Sequence, residues 1–217
     1  MKLIDKKQLN KDVYSFIFER PKNFKILPGQ YIKMFLNIKN PDSRGVSRYF
    51  TVSSSPTEKN IRITTRIGKS TFKQKLNSLP IGSRVEMRGP FGTFVLNRDM
   101  RPRVYLAGGI GITPARSMMV YANDKNLNIP ITLIVSFSRK EDIIFHDDLA
   151  GSENKNLKVI FLTERINEKI IKKNLVSLRI SIFYITGPTS FVSAMEKLVK
   201  QMGVAEKNIK TEDFPGY

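Results

Sequence analysis

The hydrophobic pattern of this sequence changes once, near Pro102, and that change constrains the fold more than any other feature. Before it, short runs rich in β-branched and aromatic residues are separated by turn signals, as in antiparallel strands. After it, short buried runs alternate with helical segments, as in right-handed βαβ units around a parallel sheet. The sequence therefore predicts two domains, an antiparallel β-barrel at residues 1–99 and an α/β domain at residues 100–217, with a linker at residues 98–102.

The individual elements follow from local periodicity. In the first domain we expect strands at residues 13–18, 31–36, 49–52, 61–67 and 84–88, and a helix at residues 71–79 with its apolar side chains on one face. In the second domain we expect strands at residues 104–107, 131–137, 158–162 and 182–185, and a helix at residues 114–123 with proline in its first turn.

The amino-acid composition limits which cofactors and metal sites this chain can hold. The chain has no cysteine and one histidine, which excludes disulfides, thiolate zinc sites and a cysteine-ligated iron–sulfur cluster within it. Any redox centre of its own must then be an organic cofactor, and we expect no metal site. No run approaches the roughly 20 apolar residues of a membrane span, and the charged first residues do not resemble a signal peptide, so we expect a cytoplasmic protein.

The net charge of +18 lies mainly in the first domain, where residues 1–99 hold 20 Lys and Arg against 7 Asp and Glu. Three interpretations stay open: nucleic-acid binding, electrostatic attraction of an anionic partner such as an acidic electron carrier, and a lysine-rich solvated surface. The positive charges are scattered and form no basic block, which disfavours the first interpretation.

A glycine-rich segment, Gly108-Gly109-Ile110-Gly111-Ile112-Thr113-Pro114, follows the first predicted strand of the α/β domain and opens its helix. Glycines there let the backbone approach a pyrophosphate, and the helix N-terminus supplies free N–H groups and a positive dipole end. The segment departs from the dinucleotide fingerprint G-x-G-x-x-G because Pro114 takes the place of the third glycine. Alone, it is equally consistent with a tightly packed strand-to-helix turn.

Two segments of the barrel suit a flat, phosphorylated ligand. Arg48-Tyr49-Phe50-Thr51 combines a guanidinium, two aromatic rings and a hydroxyl, which can hold a phosphate, stack on a ring and donate to a ring nitrogen. Gly68-Lys69-Ser70-Thr71 precedes the predicted helix and forms a second anion-binding helix start. Taken alone, residues 48–51 are explained more simply as an arginine beside aromatic residues of the barrel core. Residues 68–71, taken alone, are equally consistent with an ordinary helix N-cap.

In combination and order, these segments resemble the ferredoxin-NADP reductase superfamily, whose members pair a flavin-binding barrel with a nucleotide-binding α/β domain. The resemblance covers nearly the whole chain. The match to R-x-(Y/F)-(S/T) implies that Arg48 meets a flavin phosphate, Phe50 stacks on the isoalloxazine, Thr51 lies near flavin N5 and Tyr49 fills the variable position. Residues 68–71 resemble the family's phosphate loop, with Thr65 and Arg66 before it counted as cofactor-binding, and Gly89-Pro90-Phe91-Gly92 resembles the turn that closes the flavin domain.

The α/β domain carries the rest of the resemblance. Residues 108–114 match the G-G-x-G-x-T-P loop that receives the NAD(P) pyrophosphate, and Ser138 and Arg139 follow the second strand, where members contact the adenosine half. Thr186-Gly187-Pro188 resembles the motif near the nicotinamide, with Thr186 where many members have cysteine. The tail resembles the family's E-x-aromatic ending, which implies that Glu212 lies by the nicotinamide and that Phe214 covers the flavin, with Tyr217 as the alternative ring.

The resemblance implies a flavin-dependent NAD(P)H oxidoreductase that passes hydride to bound FAD, preferred over FMN, and then electrons to a separate acceptor. Thr51, Thr186, Glu212 and Phe214 are the expected catalytic residues. The rival functions are a basic nucleic-acid-binding module without redox activity and an electron-transfer subunit of a larger complex. No nucleophile motif stands beside the lone His146, so we expect that residue to serve at the surface or as a helix cap.

Overall fold

The computed structural model describes residues 1–97, 99–150 and 156–215. In the first of these ranges lie strands β1 (Leu3–Gln8), β2 (Val13–Phe18), β3 (Tyr31–Phe35), β4 (Ser47–Thr51), β5 (Ile61–Arg66) and β6 (Glu86–Phe91), with helix α1 (Thr71–Ser78) between the last two. The predicted linker position Arg98 and the tail residue Tyr217 lie outside the described residues.

The six strands form two antiparallel three-stranded sheets, ordered β1-β2-β5 and β4-β3-β6. Bridges between Lys2 and Arg84 and between Val52 and Ile63 join the two sheets, so they close towards a barrel. Apolar side chains of both sheets and of α1 meet inside, where Phe16, Ile32 and Ile63 are fully buried. This arrangement confirms the predicted antiparallel β-barrel.

The second half begins with β7 (Arg103–Gly108), a 3₁₀ turn at Gly109–Gly111 and α2 (Ile112–Asp124). It continues through β8 (Ile131–Ser136), a short helix α3 (His146–Ala150), β9 (Leu157–Leu162), α4 (Glu168–Asn174), β10 (Ile182–Gly187), α5 (Thr189–Gln201) and β11 (Ile209–Asp213). The strands pair in parallel in the order β11-β10-β7-β8-β9. Strands β7 and β10 are buried along their whole length, as expected when helices cover both faces of a parallel sheet.

Several strands and helices begin or end at residues other than those predicted, and two strands were not predicted at all. Strand β6 lies two residues later than expected and includes Gly89-Pro90-Phe91, and α2 begins at Ile112 rather than Pro114. The hydrophobic pattern did not predict β1 and β11, because their segments LIDKKQ and IKTED are mostly polar. Both are edge strands, and edge strands are held by pairing with a neighbour more than by their own hydrophobic pattern.

The two halves share one hydrophobic cluster. Phe94 and Leu96, which precede the predicted linker, pack with residues of the α/β half such as Met118 and Tyr184. Arg116 of α2 donates to the Ser53 carbonyl at 2.7 Å and pairs with Glu58 at 2.7 Å, both on the barrel side. These contacts fix the barrel against the start of α2. Among the described residues, no helix is long and apolar enough to cross a membrane.

Candidate flavin and dinucleotide site

A cleft of about 670 Å³ opens between the barrel and the α/β half. Its volume is in the range typical of sites for organic cofactors. Both halves contribute side chains, and the walls include predicted residues from the flavin motif, the glycine loop and the tail: Arg48, Tyr49, Phe50, Thr51, Ile110, Thr113, Glu212 and Phe214. The fold thus brings together three motifs that are far apart in sequence.

Strand β4 presents the flavin motif to the cleft. Its residues alternate sides, because β4 pairs with β3 in regular antiparallel register. Phe50 faces the barrel core opposite Ile32 and is 5% exposed, with its ring centroid 5.9 Å from that of Phe72. Tyr49 is 61% exposed and meets Tyr31 edge-on at 5.6 Å between centroids. The ring that is open for stacking is therefore Tyr49, while stacking by Phe50 stays a prediction.

The start of helix α1 already holds a carboxylate. The Thr71 backbone N–H and the Ser70 hydroxyl donate to Asp42 Oδ2 at 3.0 and 3.1 Å, and Arg48 Nη2 donates to Asp42 Oδ1 at 2.7 Å. These are three of the groups that the flavin motif and the phosphate loop assign to a phosphate. Gly68 and Lys69 precede them on the exposed surface.

The glycine loop combines a left-handed residue with a close backbone approach. Gly109 has φ +52°, and a Cβ there would meet nothing within 4 Å. A Cβ on Gly111 would lie 2.4 Å from the Thr186 carbonyl oxygen, so the start of α2 and the end of β10 touch through backbone. Thr113 Oγ1 donates to the Ile110 carbonyl at 3.0 Å, which closes the first turn of α2. The first turn of α2 is thus set directly against the carboxyl ends of β7 and β10.

Thr186 and Glu212 are register partners on the neighbouring strands β10 and β11. Thr186 is fully buried, and its Oγ1 is a buried atom without a hydrogen-bond partner, as is Glu212 Oε2. Burial, and to a smaller extent the neighbouring Asp213, raises the pKa of Glu212 from 4.5 to about 7. Buried polar atoms are nearly always paired, so two adjacent unpaired oxygens mark a place where a polar ligand group fits.

The tail is fixed to the sheet as far as it is described. The Phe214 N–H donates to the Gly187 carbonyl at 2.9 Å, which continues the β10–β11 pairing past the end of β11. The Phe214 ring is partly buried, packs against the α/β core and lines the cleft. The chain is therefore not frayed at Phe214.

Other predicted residues lie outside the cleft. Thr65 is fully buried, Arg66 pairs with Asp12 at 3.5 Å, and neither lines the cleft, whereas the neighbouring Thr64 does. Ser138 and Arg139 are exposed after β8, and Arg139 Nη2 pairs with Asp142 at 2.9 Å. Arg139 would have to exchange this partner before it could hold a 2′-phosphate. Pro188 precedes α5, and the adjoining Gly187 has φ +152° beside the Gly108 backbone.

The lone histidine lies at the surface. His146 begins α3, its side chain is 62% exposed, and its ring lies 5.2 Å from that of Phe161. It does not line the cleft. No group of His, Asp and Glu side chains suited to a metal ion occurs among the described residues.

Sequence reasoning missed several residues of the cleft, namely Tyr31, Lys33, Arg44, Thr64 and Lys73. A signal existed for Lys73, because it lies three residues after Ser70 and so shares its side of α1. A signal also existed for Tyr31, which follows the Pro28-Gly29-Gln30 turn on the strand that pairs with β4. Arg44 lies in a loop whose course no local pattern predicts.

Comparison with known proteins agrees with this geometry. Residues 1–96 match the family model of the oxidoreductase FAD-binding domain. The chain is 27% identical to flavohemoprotein A of Dictyostelium discoideum over 98% of its length and 59% of that protein. It is 28% identical to the glycine betaine monooxygenase reductase subunit of Chromohalobacter salexigens over 94% of its length and 60% of that protein. The chain thus spans about 60% of these relatives.

Solved structures share the fold at low sequence identity. A ferredoxin NADP⁺ reductase from Neisseria gonorrhoeae with bound FAD and NADP superposes with a TM-score of 0.85 at 18% identity, covering 98% of this chain and 96% of that one. The FAD/NAD-binding domain of nitric oxide dioxygenase from Vibrio cholerae gives 0.82 at 19% identity, covering 98% and 97%. Residues 1–96 thus match the model of the oxidoreductase FAD-binding domain, and the chain as a whole shares its fold with these reductase structures.

Proposed function

We propose that this chain is a flavin-dependent NAD(P)H oxidoreductase that binds FAD in the cleft and passes electrons from NAD(P)H to a separate acceptor. The observation that carries the proposal is the cleft itself, where the flavin motif of β4, the glycine loop and the Glu212 tail line one space. The FAD-binding match of residues 1–96 and the relatives named as reductase subunits support it.

The residues present fit FAD. Besides the cleft volume, Arg48 Nε, Thr186 Oγ1 and Glu212 Oε2 are buried polar atoms without a partner at the cleft or beside it. Bound FAD would supply the redox chemistry, which is to accept hydride from NAD(P)H and to pass electrons to an acceptor. The protein would supply binding and orientation: we assign Arg48 and the start of α1 to the phosphates, Thr51 to the flavin ring, and residues 108–114 to the dinucleotide.

Glu212 and Thr186 are assigned to the nicotinamide side of the cleft. With a pKa of about 7, the Glu212 carboxyl is partly protonated at neutral pH and can both donate and accept a hydrogen bond. The buried Thr186 hydroxyl beside it offers a second donor. Together they can orient an amide, which presents one acceptor and two donors.

The acceptor we propose is a separate redox protein with an acidic docking face. The net charge of +18 favours association with an anionic partner. One relative is named as the reductase subunit of a monooxygenase and others as flavohemoproteins, so reductases of this kind serve a second redox centre.

The test is an absorbance spectrum of the purified chain supplemented with FAD and freed of excess, followed by anaerobic addition of NADPH and, separately, NADH. We expect a flavin spectrum that bleaches with at least one coenzyme. His146→Ala is the matched control, because that exposed residue lies outside the cleft, and it should bleach at the wild-type rate. A well-folded chain that binds neither FAD nor FMN refutes the proposal. Salt-steep binding to polyanions by such a colourless protein would instead support the nucleic-acid module.

A further inference from the structure

Asp42 occupies the donors that a flavin phosphate needs. Its carboxylate accepts from Arg48 Nη2 at 2.7 Å, from Ser70 Oγ at 3.1 Å and from the Thr71 N–H at 3.0 Å. The Asp42 N–H in turn donates to Thr71 Oγ1 at 2.9 Å. A carboxylate at a helix N-terminus beside a guanidinium is bound by the same forces as a phosphate oxygen pair.

The guanidinium of Arg48 has little capacity left for a second anion. Its Nη1 donates to the carbonyls of Arg44, Gly45 and Ser47 at 2.8 to 2.9 Å, and the two hydrogens of Nη2 serve Asp42 and Ser70. An arginine has five N–H donors, and only Nε lacks a partner. A phosphate that makes a two-pronged contact with Arg48 through Nε and Nη2 must therefore replace a partner of Nη2, which is Asp42 or Ser70.

The local charge favours that exchange. Arg44, Arg48 and Lys73 all line the cleft, and Lys73 is 7% exposed. Burial, and to a smaller extent the nearby Arg44, Arg48 and Arg66, lowers the pKa of Lys73 to about 7. Partial burial opposes ionisation of Asp42, yet hydrogen bonds from Arg48 and its neighbours hold the pKa of that carboxyl well below its usual range. Asp42 pairs with Arg48, while Arg44 and the partly protonated Lys73 line the same cleft, so a diphosphate would neutralise more of this positive charge than one carboxylate does.

We propose that Asp42 is an internal anion in the phosphate subsite, and that binding of a flavin phosphate displaces it from Arg48, Ser70 and the N-terminus of α1. The inference rests on the proposed flavin function. Asp42 then lowers the apparent affinity for phosphorylated flavins by the fraction of molecules in which it holds these donors. It acts on the phosphate alone, since its side chain is hydrogen-bonded to Arg48, Ser70 and Thr71 and not to the ring residue Thr51.

The test compares Asp42→Asn and Asp42→Ser with wild type in the full chain freed of flavin. Titration with FAD, FMN and riboflavin, followed by flavin fluorescence, gives the three dissociation constants. We expect both variants to bind FAD and FMN at least tenfold more tightly while riboflavin, which has no phosphate, binds as to wild type. Asp5→Asn is the matched control, because it removes the same charge from an exposed position on β1 and should change none of the constants.

The outcomes separate this inference from the proposed function. Equal FAD affinity in wild type and variants, or riboflavin binding that tightens in parallel, overturns the role of Asp42 while flavin binding stands. Absence of FAD binding in all proteins overturns the flavin function itself, and this inference with it.

A second measurement needs no variant. Hydrogen exchange of the Asp42 amide, which donates to Thr71 Oγ1, should become faster when FAD binds to wild type, although ligands normally slow exchange at their sites. Slower or unchanged exchange at this amide would show that Asp42 stays in place, and would overturn the proposal.

Discussion

Two alanine substitutions in the glycine loop distinguish a glycine that the fold needs from a glycine that coenzyme binding needs. Gly111 has an ordinary φ of −60°, but a Cβ there would lie 2.4 Å from the Thr186 carbonyl oxygen and 2.7 Å from Gly187 Cα. Gly109 is the reverse case, with φ +52° and no atom within 4 Å of its Cβ. Gly111→Ala should therefore damage the fold, while Gly109→Ala should leave it intact and place a methyl where the coenzyme backbone contact is proposed.

The magnitudes follow from these distances. Non-bonded carbon contacts relax near 3.5 Å, so Gly111→Ala must separate α2 from β10 by roughly 1 Å. Both sides of that contact are backbone, and overpacking of this kind costs about 3 kcal/mol. Gly109→Ala costs about 1 kcal/mol for a left-handed alanine. For a chain of this size, those values correspond to about 9 °C and about 3 °C in Tm.

The assays are thermal unfolding with FAD present and steady-state kinetics with a small acceptor. We expect Gly109→Ala to keep its flavin and to raise the KM for coenzyme about tenfold, or ~1.4 kcal/mol. A Gly111→Ala protein as stable as wild type would refute the close-approach argument. An unchanged coenzyme KM in Gly109→Ala would refute the assignment of this loop to the dinucleotide, and loss of flavin would assign it to FAD instead.

Three further predictions concern the cleft and the contact between the two halves. The pKa of Glu212 rises from 4.5 to about 7 on folding, so the folded state binds its proton more tightly than the unfolded state does. In urea unfolding, wild type should therefore lose on the order of 3 kcal/mol of stability relative to Glu212→Gln between pH 4 and pH 8; parallel curves would contradict this. Arg116 is 3% exposed and pairs with both Glu58 and Asp148 at 2.7 Å. Arg116→Met should therefore cost ~3 kcal/mol, much less in a Glu58→Gln background, whereas additive losses would deny the coupling. Phe214→Ser should tighten coenzyme binding roughly threefold and slow turnover, because the ring competes for the nicotinamide face, and unchanged constants would show that it does not.

The sequence was sufficient to predict those parts of the structure that depend on residues close together in the chain. The strand alternation of the first half and the βαβ pattern of the second predicted both domain types, because side-chain periodicity follows directly from backbone geometry. Gly109 and Gly111 were recognisable from their place between a strand and a helix. Strands β1 and β11 were missed because their polar sequences adopt extended structure only when a neighbouring strand pairs with them.

Only the tertiary structure decided which groups meet in the cleft. No motif links Asp42 to Thr71, which lies 29 positions away, yet our proposal for the phosphate subsite depends on their contact. The pairing of Thr186 with Glu212 requires β11 to lie beside β10, and that strand order is not encoded in either segment alone. The sequence by itself determined most of the elements and the candidate cofactor motifs, since these rest on backbone propensity and on residue chemistry at fixed spacing. The structure decided the partners of each buried charge, because electrostatic pairing depends on distances in space that chain separation does not constrain.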